Sequence, residues 1–225
     1  MGLISGMLEL LFPPKCMFCR RILPGGSAAC CEGCQKHLEG QETVSEGTFV
    51  TTCWAALSYE GAVREAIIRY KFEGDRGYAT EFGRLLGRCI AERLAGQYDV
   101  ITWVPVSPQR YKKRGYDQAM LLACAAALEL GDVAVSTLSK TLDNPAQSGL
   151  TDRMARKSNV LGAYAVAEPE LVTGRRILLI DDIVTTGATM EEAGRTLLEG
   201  GARSVVGAAL ARPPETTKTD DEGSV

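Results

Sequence analysis

Arg176-Ile177-Leu178-Leu179-Ile180-Asp181-Asp182-Ile183-Val184-Thr185-Thr186-Gly187-Ala188-Thr189 is the stretch whose reading decides the fold. An apolar run ends in two adjacent carboxylates, and a short Thr/Gly turn then opens a segment with helical spacing. That order predicts a buried parallel strand, a polar turn and a helix start. In open α/β sheets ligands sit beyond the carboxyl ends of the strands, where helix N-termini present unpaired N–H groups to anions. Between Val184 and Ala188, the hydroxyls of Thr185 and Thr186 and the freedom of Gly187 suit a phosphate monoester, with Thr189 adding a third hydroxyl. Asp181 and Asp182, acceptors only when ionised, suit sugar hydroxyls or a Mg²⁺ shell. A sugar phosphate satisfies both halves. The plain alternative is an ordinary strand-to-helix turn capped by Asp and Thr. Against it stands the density of the pattern. No Gly-Lys-Ser/Thr follows, so this is not a Walker loop, and its single glycine rules out a dinucleotide fingerprint.

The 225 residues suffice for one core of ordinary size and a small appendage. With 24% charged residues and a formal net charge of −3, the chain is of globular class, and any nucleic-acid surface must be local. The apolar start (Leu3, Ile4, Met7, Leu8, Leu10, Leu11, Phe12) lacks a basic n-region, is interrupted by Glu9 and is too short to span a bilayer. It reads as an amphipathic helix docked on the protein. With no export signal, the expected location is the cytoplasm. Five of the eight cysteines fall between Cys16 and Cys34. Cys16-x-x-Cys19 and Cys31-x-x-Cys34 are two knuckles whose spacing brings four thiolates to one tetrahedral ion, which favours a structural Zn²⁺ over a disulfide framework or a thiol redox pair. Cys30 is then a spare, and His37 a solvated helix residue rather than a substitute ligand.

Working outward, 51–59 and 99–104 read as strands, 61–71 and 78–94 as helices, and 116–130 as a helix followed by a short strand near 133–138. Between Pro105 and Gly115 the segment is basic, with Arg110, Lys112, Lys113 and Arg114. A polar stretch over 139–158 carries Lys140, Gln147, Gly149, Arg153, Arg156 and Lys157 and is expected to be functional or mobile. Strands at 162–167, 177–180 and 204–210 enclose a helix over 189–199 closed by Gly200-Gly201. The alternation predicts an α/β fold with a mostly parallel sheet flanked by helices. The expected organisation is an N-terminal helix and zinc knuckle over 1–50, the α/β domain over 51–212 and a disordered tail over 213–225.

The 177–189 run resembles the phosphoribosyl-pyrophosphate (PRPP) signature of type I phosphoribosyltransferases. From about Cys16 to Arg212 the chain resembles the ComF family of bacterial competence proteins. The likeness rests on the paired Cys knuckles, Tyr59-Glu60-Gly61 leading to Tyr70-Lys71-Phe72-Glu73-Gly74-Asp75, and Val104-Pro105-Val106 followed by Arg114-Gly115-Tyr116-Asp117-Gln118-Ala119. Gln147-Ser148-Gly149-Leu150 and Arg156 with Asn159 complete it. Asp117 stands where the family commonly has Asn, adding a negative charge beside the basic loop. The resemblance implies a domain binding PRPP with Mg²⁺. Asp181 and Asp182 would hold the ribose hydroxyls, 184–189 the 5′-phosphate, and a leaving-group loop over 104–118 the pyrophosphate through Val106, Arg110 and Lys113. Arg114 would join the acidic pair in catalysis, where developing charge on the leaving oxygens must be offset. It also implies a link to competence and DNA uptake. Three readings stay open: a phosphoribosyltransferase or PRPP hydrolase of unspecified acceptor, a non-catalytic PRPP-sensing or single-stranded-DNA-binding module meeting DNA-uptake proteins, and a structural subunit docking a partner through its knuckle.

Overall fold

The computed structural model describes residues 13–23, 29–38, 43–72, 76–142 and 161–214. In chain order the elements are α1 (Glu32–Gln35), β1 (Thr43–Ser45), β2 (Cys53–Ser58), α2 (Gly61–Phe72), a 3₁₀ turn (Arg76–Tyr78) and α3 (Ala79–Arg93). There follow β3 (Val100–Trp103), α4 (Pro108–Arg114), α5 (Gln118–Glu129), β4 (Leu138–Lys140) and β5 (Tyr164–Val166). The last are α6 (Pro169–Val172), β6 (Arg176–Ile183), α7 (Ala188–Glu199) and β7 (Ser204–Arg212).

The main sheet runs β1-β2-β7-β6-β3. β2, β7, β6 and β3 are parallel, and the short β1 adds antiparallel to one edge. β6 lies inside the sheet, with Ile177 opposite Val100 on one side and Val205 on the other. This explains its unbroken apolar run, because helices cover both faces of a parallel sheet. Successive residues alternate between two cores. Leu178 and Ile180 pack with Val63, Ile67 and Tyr70 of α2, Phe82, Leu86 and Ile90 of α3, and Leu122 of α5. Ile177 and Leu179 pack with Met190, Ala193 and Leu197 of α7. Each of these aliphatic side chains contributes roughly 1.5–3 kcal/mol by leaving water.

α3 and α5 meet closely for a local reason. A Cβ on Gly83 would lie 2.2 Å from Ala125 Cβ, and one on Gly87 2.9 Å from Glu129 Cβ. The two glycines therefore form a groove that receives α5.

Four segments depart from the sequence reading. The strand expected near 133–138 is a single parallel bridge of Ala134 to Ile101, and β4 begins only at Leu138. Val133 is 70% exposed, while Thr137 is buried and donates to Thr102 Oγ1 at 2.8 Å, so the chain follows β3 only through these local contacts and then turns to pair with β5. The basic segment after β3 is the helix α4. Its start was signalled by Ser107-Pro108, since Ser107 Oγ accepts from the Arg110 N–H and Pro108 sits in the first turn. The short β1 and α6 carried no periodic pattern. The N-terminal amphipathic helix, most of the polar stretch over 139–158 and the tail beyond 214 lie outside the described residues.

Candidate functional site

Asp181 and Asp182 lie within β6 rather than after it, because Asp181 pairs with Ala209 and Ile183 with Ala211. Consecutive strand residues project to opposite faces, so the acidic pair straddles the sheet. Asp182 meets α2. Lys71 Nζ sits 2.9 Å from Asp182 Oδ1, with both side chains largely buried. Asp181 reaches the other side, where it lines a cavity with Ile183, Val184, Thr185, Thr186, Gly187, Ala188, Thr189 and Met190. It accepts the Asp182 N–H at 2.8 Å. Burial, with the negative charge of Asp182 adding to it, pushes the Asp181 carboxyl up to about 8 against the pull of Lys71 and of that N–H.

Beyond the strand the chain bends through Gly187, whose φ of +76° is one that a side chain resists. Nothing lies within 4 Å of where a Gly187 Cβ would stand, so what keeps a side chain out of this position is the backbone conformation and not a neighbour. α7 starts at Ala188, and the amides of its first turn have no partner within the helix. Thr186 Oγ1 accepts weakly from the Ala188 N–H at 3.4 Å. The one acidic residue of that first turn, Glu191, is turned away from the cavity. Its carboxylate accepts the N–H groups of Thr48, Phe49 and Val50 at 2.9, 3.1 and 2.9 Å. The cradle therefore offers hydroxyls and amides without a carboxylate from its own helix, an arrangement that attracts an anion.

The neighbouring strand β3 ends in a loop of different character. Asp117 is buried and caps α5 by accepting from the Met120 N–H at 3.1 Å, and it also accepts from the Val106 N–H at 3.0 Å. It is thus a brace within the loop, not a loose negative charge beside it, and the Val106 amide is committed to it. Burial pushes the Asp117 carboxyl up, opposed by those two N–H groups. Of the cations, Arg110 and Arg114 are half-buried, whereas Lys112 and Lys113 are exposed. Arg114 donates to Gln118 Oε1 at 2.9 Å and lies 4.8 Å over the Phe72 ring, and burial lowers its guanidinium's pKa against the influence of Asp182.

A buried network ties α2 to this loop. Tyr70 Oη donates to the Gln118 carbonyl at 3.0 Å, Tyr116 Oη donates to the Tyr70 carbonyl, and Gln118 Nε2 reaches the Lys71 carbonyl at 3.5 Å. Lys71 is the polar contact that the sequence reading passed over; its only signal was its place in Tyr70-Lys71-Phe72. Tyr164 was missed too. It is buried beside Lys140, and burial together with the charge of Asp181 pushes its phenol up. Arg153, Arg156 and Lys157, expected from the polar stretch, fall outside the described residues, while Lys140 lies on β4.

The knuckle has the geometry its spacing implies. The sulfurs of Cys16, Cys19, Cys31 and Cys34 all lie within 4.8 Å of one another, and Cys19 and Cys31 are 3.6 Å apart. A tetrahedron of ~2.3 Å Zn–S bonds has edges of about 3.8 Å, so four free thiols at these separations fit a metal such as zinc. A closed four-sulfur shell leaves no open position for chemistry. Cys30 is buried next to the cluster without joining it, and His37 packs edge-on to Phe18 with ring centroids 5.6 Å apart.

A parallel sheet with helices on both faces, ending in an acidic strand and an amide-lined bend, defines the class of phosphoribosyltransferase-like proteins. Residues 117–225 match the family model of the phosphoribosyl transferase domain. The chain is 33% identical over 159 residues to the competence protein ComFC of Streptococcus pneumoniae, covering 70% of this chain and 67% of that one. It is 28% identical over 193 residues to competence protein ComFC of Bacillus subtilis (85% and 74% covered), and 27% identical over 220 residues to the DNA utilization protein YhgH of Escherichia coli (87% and 96%). The chain belongs to the ComF family. Among the described residues no helix is long and apolar enough to cross a membrane.

Proposed function

We propose that the protein binds PRPP at the end of β6 and transfers or releases its phosphoribosyl group, in the cytoplasm and in the service of competence and DNA uptake. The observation that carries this is the open bend over 184–189, which places three threonine hydroxyls and the amides of α7 beside the Asp181 carboxyl. The 5′-phosphate occupies the bend, and Asp181 accepts from the ribose hydroxyls. Asp182, its charge balanced by Lys71, supports it from the opposite face of β6. Arg114, together with Arg110 and Lys113, meets the departing pyrophosphate, where preorganised cations stabilise charge as it develops. Asp181 and Asp182 would be the protein's oxygen donors to Mg²⁺, which would supply charge neutralisation there. Calorimetry with PRPP and Mg²⁺ tests the reading. Heat should be released by the native protein and lost in the Asp181→Ala, Asp182→Ala double variant, and no heat from the native protein would refute it. Pyrophosphate release on incubation distinguishes turnover from binding alone.

A second reading, a single-stranded-DNA surface, is favoured by one observation. Phe72 (65% exposed) and Tyr111 (49%) stand in the open among Lys112, Lys113 and Arg114. Exposed rings interleaved with cations are what stacking on unpaired bases requires. The relatives named for competence and DNA utilization lean the same way. Anisotropy titration of labelled single-stranded DNA at two salt levels tests it, and an absent or salt-insensitive signal removes the electrostatic contact.

A further inference from the structure

The cysteine knuckle is distant in sequence from the acidic strand, yet a continuous set of contacts joins them. Met17 and Phe18, the two residues between Cys16 and Cys19, are fully buried in the same core as Val63, Ile67 and Tyr70 of α2. Arg69, in the last turn of α2, extends Nη2 to the carbonyl oxygens of both Met17 (3.3 Å) and Phe18. Its Nε is buried without a hydrogen-bond partner. The half-buried guanidinium is therefore held mainly by carbonyls that the knuckle presents, and losing them would leave Nη2 as well as the buried Nε without an acceptor. Two residues further on, in the same helical turn, Lys71 makes the ion pair with Asp182. The Lys71 carbonyl in turn receives Gln118, whose Oε1 holds Arg114.

We propose that Arg69 is a positioning residue that makes the site responsive to the knuckle: metal held by the four cysteines fixes the carbonyls of Met17 and Phe18, Arg69 locks onto them, and the last turn of α2 thereby keeps Lys71 on Asp182. Loss of the metal, or of Arg69, frees that turn and leaves Asp182 without its counter-charge. α7 stays in place, because it packs on Ile177 and Leu179 of β6 through the other core. The consequence for ligand affinity rests on the PRPP reading above; the consequence for Lys71 does not.

The test is lysine acylation followed residue by residue by mass spectrometry on the full chain, alongside backbone hydrogen exchange. In the zinc-loaded protein Lys71, ion-paired and mostly buried, should react slowly and the exposed Lys112 quickly. Chelation of the metal, or Arg69→Gln with zinc content verified, should raise the Lys71 rate at least about fivefold and release exchange protection in 61–72, with Lys112 and the α7 amides unchanged. Arg69→Lys, keeping the charge but not the two-carbonyl grip, should fall between. A Lys71 that stays protected in both the metal-free protein and Arg69→Gln overturns the proposal. So does loss of protection in α7 together with α2, which would make the knuckle a general brace. PRPP affinity, read by calorimetry, should fall about tenfold in Arg69→Gln and hardly further in Arg69→Gln, Lys71→Gln, because the two residues act through one contact. Additive losses count against the coupling. If no form of the protein binds PRPP, the preceding reading fails while the Lys71 labelling still decides this one.

Discussion

β3 and β6 are adjacent, parallel and end on the same side of the sheet, yet their loops solve opposite problems. After β6 the chain turns through a glycine at positive φ and lines an open cavity with amides and hydroxyls, with the one acid of the first turn of α7, Glu191, engaged elsewhere. After β3 the chain folds into a basic helix and spends its amides inwardly: Val106 and Met120 both donate to the buried Asp117. One loop presents backbone, the other presents side chains. The difference teaches that a small dipolar cradle is specified by local conformation, whereas a patch of long cationic side chains needs a braced platform beneath it.

The division is sharpest in Gly187→Val. A side chain there strains the backbone at a φ of +76° on which the shape of the cradle depends, so affinity for both PRPP and ribose 5-phosphate should fall about a hundredfold, some 2.7 kcal/mol. Arg114→Ala, on the other loop, should weaken PRPP about tenfold and leave ribose 5-phosphate alone, because only the former carries the pyrophosphate. Calorimetry with the two ligands decides, and equal losses for both in each variant would dissolve the distinction.

Next in size is Asp117→Ala, which strips two backbone N–H groups of their acceptor and should lower unfolding stability by about 2 kcal/mol in urea titration. Asp117→Asn keeps one acceptor oxygen and should cost less than half as much. A variant of equal stability would show that the β3 loop needs no brace.

Smaller still is the effect of pH. With the Asp181 carboxyl pushed up to about 8, it is largely protonated at neutrality. PRPP binding that needs the carboxylate should then strengthen roughly eightfold from about pH 7 to 8.5, the gain expected from proton linkage, and level off above. Folding runs the other way. A carboxyl whose folded value is raised penalises the native state increasingly as pH climbs from the ordinary carboxylate range near 4 toward 8, so stability from this group is greatest on the acid side. Asp181→Asn should flatten both slopes, as calorimetry and denaturant titration at several pH values would show.

How much could be read beforehand follows from the same contrast. β6, its bend and α7 were legible because every signal is contiguous: apolar run, acids, Thr-Gly turn and helical spacing. The cysteine cluster was legible because its ligand spacing is itself the message. Lys71 was not, since nothing local says that the end of one helix will meet Asp182 across the sheet; only the packing of α2 places it there. The opposite facing of Asp181 and Asp182 could have been read, because adjacent acids within a strand must alternate, but they were taken to follow the strand instead of ending it. Asp117 was read only as a negative charge added beside the basic loop, although Asp directly before a helix is a capping signal.

The groove at Gly83 and Gly87 carries a consequence for how this family of shapes can vary. An alanine at position 83 would drive α5 outward, and the first residues of α5 are the ones that clasp Val106, Arg114 and the Tyr70 hydroxyl. The gap between two helices far from any ligand therefore works as a spacer for the basic loop, and a single added methyl would be felt where the pyrophosphate is expected to leave.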